Sequence, residues 1–146
     1  MSEVTDIPVS DMAALIRTDF SSPEKWYRLR ELVCAPVLEY GRAFYAYVDF
    51  VDDPTFANFT KEQIMKSIPA NYLFSFFIVA DCLSLSQPGY PLLFVDLLEI
   101  PGRELRVSAT AVQGVENNLS ISNMDFEEFV ENVDESGVFR GFRVSE

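Results

Sequence analysis

Leu73-Phe74-Ser75-Phe76-Phe77-Ile78-Val79-Ala80 is the stretch that decides the fold. It holds one hydroxyl among otherwise apolar side chains and no polar–apolar alternation. Such a short, continuous run is the pattern of a strand covered on both faces. A strand of that kind needs helices on either side of its sheet, so the elements around it have to supply them.

Upstream they do. Ala13–Phe20 reads as a first strand with an abrupt polar stop. Ser21-Ser22-Pro23-Glu24 opens a helix: a serine caps the free amides, Pro23 is tolerated in the first turn, and Glu24 suits the positive end of the dipole. Trp26, Leu29, Val33 and Val37 follow at helical spacing, and Pro36 ends the helix. Phe44–Val51 is aromatic, β-branched and alternating, a second strand closed by Asp52-Asp53-Pro54. Thr60 and Gln63 form a capping box for a short helix to about Ile68.

Downstream, Gln87-Pro88-Gly89 is a turn. Leu92–Leu98 and Glu104–Val107 are two strands joined through Ile100-Pro101-Gly102-Arg103, and Met124–Val133 is a last helix with Phe126, Phe129, Val130 and Val133 on one stripe. The expectation is an α/β (or α+β) domain over residues 11–146, with residues 1–10 a flexible N-terminus. One mixed sheet of about five strands carries three packed helices. A thioredoxin-like topology fits the order of elements, with Pro91 entering a strand, but Cys34 and Cys82 are not the Cys-x-x-Cys pair that dithiol exchange needs.

Composition narrows the chemistry further. The chain has 146 residues, is 49% hydrophobic and contains no histidine. Ser-His-Asp triads, Cys-His pairs and histidine-based metal sites are therefore excluded. No glycine-rich phosphate loop is present, and no cofactor is implied. The N-terminal residues have neither a basic start nor an apolar run, and no apolar stretch is long enough to cross a bilayer. Two cysteines do not make a disulfide framework, so a cytoplasmic setting is expected. Both cysteines, like Trp26 on its apolar stripe, are expected to be buried.

The net charge is −12, which disfavours DNA, RNA and anionic membranes as partners. From Glu116 onward eight acidic residues stand against Arg140 and Arg143, whereas Arg17, Lys25, Arg28, Arg30 and Arg42 cluster near the front. An acidic face of this kind suits a basic protein partner, or it serves solubility alone.

Two groups of residues are candidates for a site. Asp19, Asp52, Asp53 and Asp81 each follow a strand, and parallel strands would bring them to one sheet edge, where α/β proteins bind ligands. Converging carboxylates could hold Mg²⁺ or act as an acid–base pair, although Asp also favours turns and helix caps for structural reasons. The second group is the polar segment from Val115 to Phe126, read as a non-regular loop tied down by side-chain bonds to the backbone. With the helix after it, this segment offers Glu116, Asn117, Asn118, Asp125, Glu127, Glu128 and Glu131 as a recognition surface.

Several segments recur together in one known family. They are Arg17-Thr18-Asp19-Phe20-Ser21 with Trp26, Val51-Asp52-Asp53-Pro54, Pro91-Leu92-Leu93-Phe94-Val95-Asp96-Leu97, and Val115-Glu116-Asn117-Asn118-Leu119-Ser120 with Asn123-Met124-Asp125-Phe126-Glu127-Glu128-Phe129. Over about residues 11–142 the chain resembles a family of small acidic bacterial proteins built on a domain of unknown function. The resemblance implies a cytoplasmic protein, and it carries no catalytic residues over to this chain.

The expected function is a non-enzymatic protein-binding domain, an acidic adaptor or an inhibitor of the immunity-protein kind. The alternatives are a carboxylate-based metal-dependent enzyme using the strand-end aspartates and a homo-oligomeric structural module.

Overall fold

The computed structural model describes residues 6–142. In chain order its elements are β1 (Ala13–Arg17), α1 (Pro23–Cys34), β2 (Val37–Glu39), β3 (Arg42–Phe44), β4 (Val48–Val51), α2 (Lys61–Lys66) and β5 (Phe76–Ala80). Then follow α3 (Cys82–Ser86), β6 (Leu92–Asp96), β7 (Glu104–Val107), α4 (Val112–Ser120), α5 (Phe126–Val130) and β8 (Val138–Phe139). The main sheet has six strands in the order β4-β1-β5-β6-β7-β8, and β2-β3 form a separate hairpin.

The mixed α/β class is therefore present, with more elements than the sequence pattern indicated. Among the described residues, five helices and eight strands replace three and about five. β4, β1 and β5 are parallel, with Leu15 facing Phe50 on one side and Ile78 on the other. β6 and β7 add antiparallel strands, and β8 runs parallel to β7. Three parallel strands in the order second–first–third open a doubly wound sheet. The thioredoxin-like arrangement, which sets an antiparallel strand beside the central one at that point, is not formed.

The continuous apolar strands divide their side chains between two cores, because successive residues point to opposite faces. Leu15, Phe76, Ile78 and Phe94 meet Trp26, Leu29 and Val33 of α1 and Val112 and Val115 of α4. Ile16, Phe77, Val79 and Val95 meet Phe56 and Ile64 on the other face. Full burial stabilises by about 1.5–3 kcal/mol for each such side chain, so α1 is held chiefly by its stripe. Ser22 caps it through the amide of Lys25 and Pro23 occupies its first turn, as expected.

Three local expectations change, and a hairpin that the sequence pattern did not indicate is present. The strand over Phe44–Val51 is divided, because Tyr45 and Tyr47 bond to α4 through the Tyr45 carbonyl and the Tyr47 amide instead of to a neighbouring strand. Tyr40 and Gly41 turn the β2-β3 hairpin with φ of 52° and 74°, the left-handed pair of a tight hairpin turn. In the stretch expected to be loose, residues 1–5 lie outside the described residues. Ile7, however, is buried and its amide donates to the Ser67 carbonyl at 2.8 Å. Cys34 and Cys82 are exposed rather than buried: one ends α1 beside its apolar stripe and the other is the first residue of α3. Among the described residues no helix is long and apolar enough to cross a membrane.

Candidate functional site

The parallel pairing of β4, β1 and β5 does carry Asp19, Asp52, Asp53 and Asp81 to one edge of the sheet. Each is engaged by the protein there. Asp19 accepts from the Ser21 amide at 2.8 Å and closes a turn before α1, and Asp53 accepts from the Thr55 amide at 3.0 Å and caps the short helical turn Pro54–Phe56. The Thr55 amide also holds the Asp53 carboxyl below the usual range. Asp52 pairs with Arg17, whose guanidinium also lies over the Phe20 ring.

Asp81 caps α3 through the Ser84 amide and takes both terminal nitrogens of Arg106 at 2.8 and 2.7 Å. Burial pushes the Asp81 carboxyl up, but the Arg106 guanidinium and the Ser84 amide outweigh it and the net shift is downward. Two arginines thus neutralise two of the four carboxylates. Among the described residues no three His, Cys, Asp or Glu side chains gather as a group that could hold a metal ion.

The polar segment expected as an irregular loop is mostly helix. Val112, Val115 and Leu119 recur at helical spacing and bury one face of α4, with Glu116 buried beside them at 2% exposure. The Glu116 carboxylate accepts from the Tyr47 amide at 2.6 Å, the Asn117 side chain at 2.8 Å and the Ser120 hydroxyl at 2.6 Å. Asn117 also donates to the Tyr45 carbonyl. Asn118 donates to the Gly114 carbonyl and accepts from the Asn123 side chain, closing the turn after α4. Glu116, Asn117 and Asn118 are therefore fastenings between α4, the 45–47 segment and the following turn.

The acidic residues further on divide in the same way. Glu127 pairs with Arg103, and Asp125 caps α5 through the Glu128 amide. Glu131, just past the end of α5, is exposed, and so is Glu128 on the helix itself. Glu128 borders a groove of about 290 Å³ between the β6–β7 turn and the α4–α5 connection, together with Glu99, Asn123 and Asp125. Its floor includes Asp96, buried at 2% exposure, whose oxygens accept from the amides of Leu98, Glu99 and Ile100. Arg103 reaches Asp96 at 3.7 Å and Glu99 at 3.9 Å.

The family described as Domain of unknown function (DUF6924) matches residues 12–142. The chain belongs to this family. No curated protein matches it.

In this DUF6924 chain, sequence reasoning missed the roles of Asp96, Arg103 and Arg106. Pro91–Leu97 reads as one apolar strand with an aspartate in it, and nothing local announces that Asp96 organises the turn beyond. The helical spacing of Val112, Val115 and Leu119 was a usable signal for α4. The Asn and Ser residues between them masked it, because such side chains favour turns.

Proposed function

We propose that this DUF6924 domain is a non-enzymatic protein-binding module, an acidic adaptor or an inhibitor of the immunity-protein kind, that takes a basic partner. The observation that carries this reading is the groove whose border bears Glu99, Asp125 and Glu128. It sits on a chain of net charge −12, and Glu128 on that border is exposed. Carboxylates at a partly desolvated groove attract lysine and arginine at long range and orient them at contact. The strand-edge aspartates, by contrast, are taken up by a local turn, by caps and by Arg17 and Arg106, which leaves little to support metal-dependent catalysis there.

Affinity capture from the native host tests the reading. The expected result is a partner of net positive charge whose binding weakens as salt rises and weakens again in the Asp125→Asn, Glu128→Gln double variant. A partner bound independently of both salt and that variant overturns it.

A second reading, a homo-oligomeric module, is favoured by one feature. The β2-β3 hairpin carries Leu38 at 77% and Tyr40 at 97% exposure. Elution at dimer mass, lost on Tyr40→Ser with Leu38→Ser, would support it, and elution of the unaltered chain at monomer mass would rule it out.

A further inference from the structure

Fully buried glutamates are rare unless a cation pairs with them, because removing the charge from water is costly. Glu116 is such a glutamate, yet every donor it meets is neutral. None of the ion pairs among the described residues includes it. A carboxylate has about four acceptor positions; three are filled here.

Glu116 also lines a recess of about 340 Å³ together with Asp11, Tyr47, Phe74, Ser120 and Ile121. Tyr47 and Ile121 are exposed large side chains on this recess. Two carboxylates and two aromatic rings around one apolar recess match a cation on an apolar stem, since ring faces attract cations and the carboxylates supply its counter-charge.

The recess and the proposed partner face are lined by neighbouring residues of the chain. Phe74, Ser120 and Ile121 line the recess, while the adjoining Ser75, Leu119 and Ser122 line the acidic groove. The two depressions therefore flank the end of α4, with exposed Ile121 between them.

We propose that the Glu116 recess receives a single arginine side chain of the basic partner, an assignment that rests on the protein-binding reading above. Arginine fits better than lysine, because its planar guanidinium stacks on an aromatic face while its donors fork toward carboxylates. Glu116 and Asp11 supply the charge, Tyr47 and Phe74 the walls, and Ile121 the contact that seats the stem.

Heteronuclear NMR of the full chain tests this with the acetylated, amidated peptide Gly-Arg-Gly and its neutral isostere Gly-citrulline-Gly. The arginine peptide is expected to shift the amides of Tyr47, Asn117 and Ile121, and the citrulline peptide to leave them in place. Tyr47→Ala, at an exposed side chain whose backbone amide still serves Glu116, should weaken binding about two- to five-fold. Equal shifts from both peptides, or no shifts at these amides, overturn the assignment.

A hexa-arginine peptide separates the two levels of the argument. If Asp125→Asn with Glu128→Gln weakens its binding and Tyr47→Ala does not, the recess is refuted and the partner face stands. If neither variant changes its binding, both fall.

Discussion

Asp81 and Arg106 join the end of β5 to β7 across the intervening strand β6, through two hydrogen bonds of 2.8 and 2.7 Å between their terminal atoms. The same carboxylate caps α3 through the Ser84 amide. One side chain therefore ties a helix start, a parallel strand end and an antiparallel strand together.

Asp81→Asn keeps the shape but removes the charge opposite Arg106, and should cost about 1–3 kcal/mol of stability. The folded-state pKa of Asp81 lies below its unfolded value, as Arg106 and Ser84 overcome the upward push of burial. Its contribution is then fully present above the unfolded pKa of about 3.9 and is lost as the pH falls through the lower folded value. Urea melts of both proteins from neutral to acid pH check this: the gap between them should hold at neutral pH and close in acid.

The Tyr72 hydroxyl sits where β1 and β5 separate, accepting from the Ala14 amide at 3.0 Å and donating to the Phe76 carbonyl at 2.8 Å. Tyr72→Phe leaves both backbone groups without this partner and should cost about 1–3 kcal/mol, read by chemical denaturation. Burial pushes the phenol up to about 12. Because the folded value is raised, the stabilisation is complete below the unfolded pKa of about 10 and is lost as the pH rises through the folded one. Ultraviolet titration should show one tyrosine ionising late, and that step should vanish in the variant.

Gly114 lies inside α4, and a Cβ added there meets no atom within 4 Å. Glycine within a helix costs roughly 0.5–1 kcal/mol relative to alanine. Gly114→Ala should raise stability by about that amount, seen as a higher midpoint with an unchanged denaturant slope.

Asp96 accepts from three successive turn amides while almost fully buried. Asp96→Ala strands those donors and releases Arg103, so a loss of about 2–3 kcal/mol is expected. Hydrogen exchange should localise the loosening to residues 97–103 and to the Arg103–Glu127 contact on α5.

The DUF6924 domain's layered architecture was readable because periodicity is local. Phe76–Ala80 has no polar side to show to water, and the stripe of Trp26, Leu29 and Val33 can bury on one face only. The caps at Ser22 and Thr60 were equally local, each depending on an amide three residues away. The helix α4 and the hairpin at Tyr40-Gly41 were missed because polar composition and short strands give weak local patterns against which tertiary packing prevails.

What the sequence by itself determined was the class of fold, the acidity and the lack of any histidine-based chemistry, since these follow from residue type and spacing. Only the tertiary structure decided which carboxylates are fastenings and which face water. Asp52 and Asp81 find arginines 35 and 25 positions away, while Glu116 meets a tyrosine amide 69 positions away. Nothing in a carboxylate's sequence neighbours encodes such a partner, because a charge is neutralised by whatever the folded chain brings within a few ångströms.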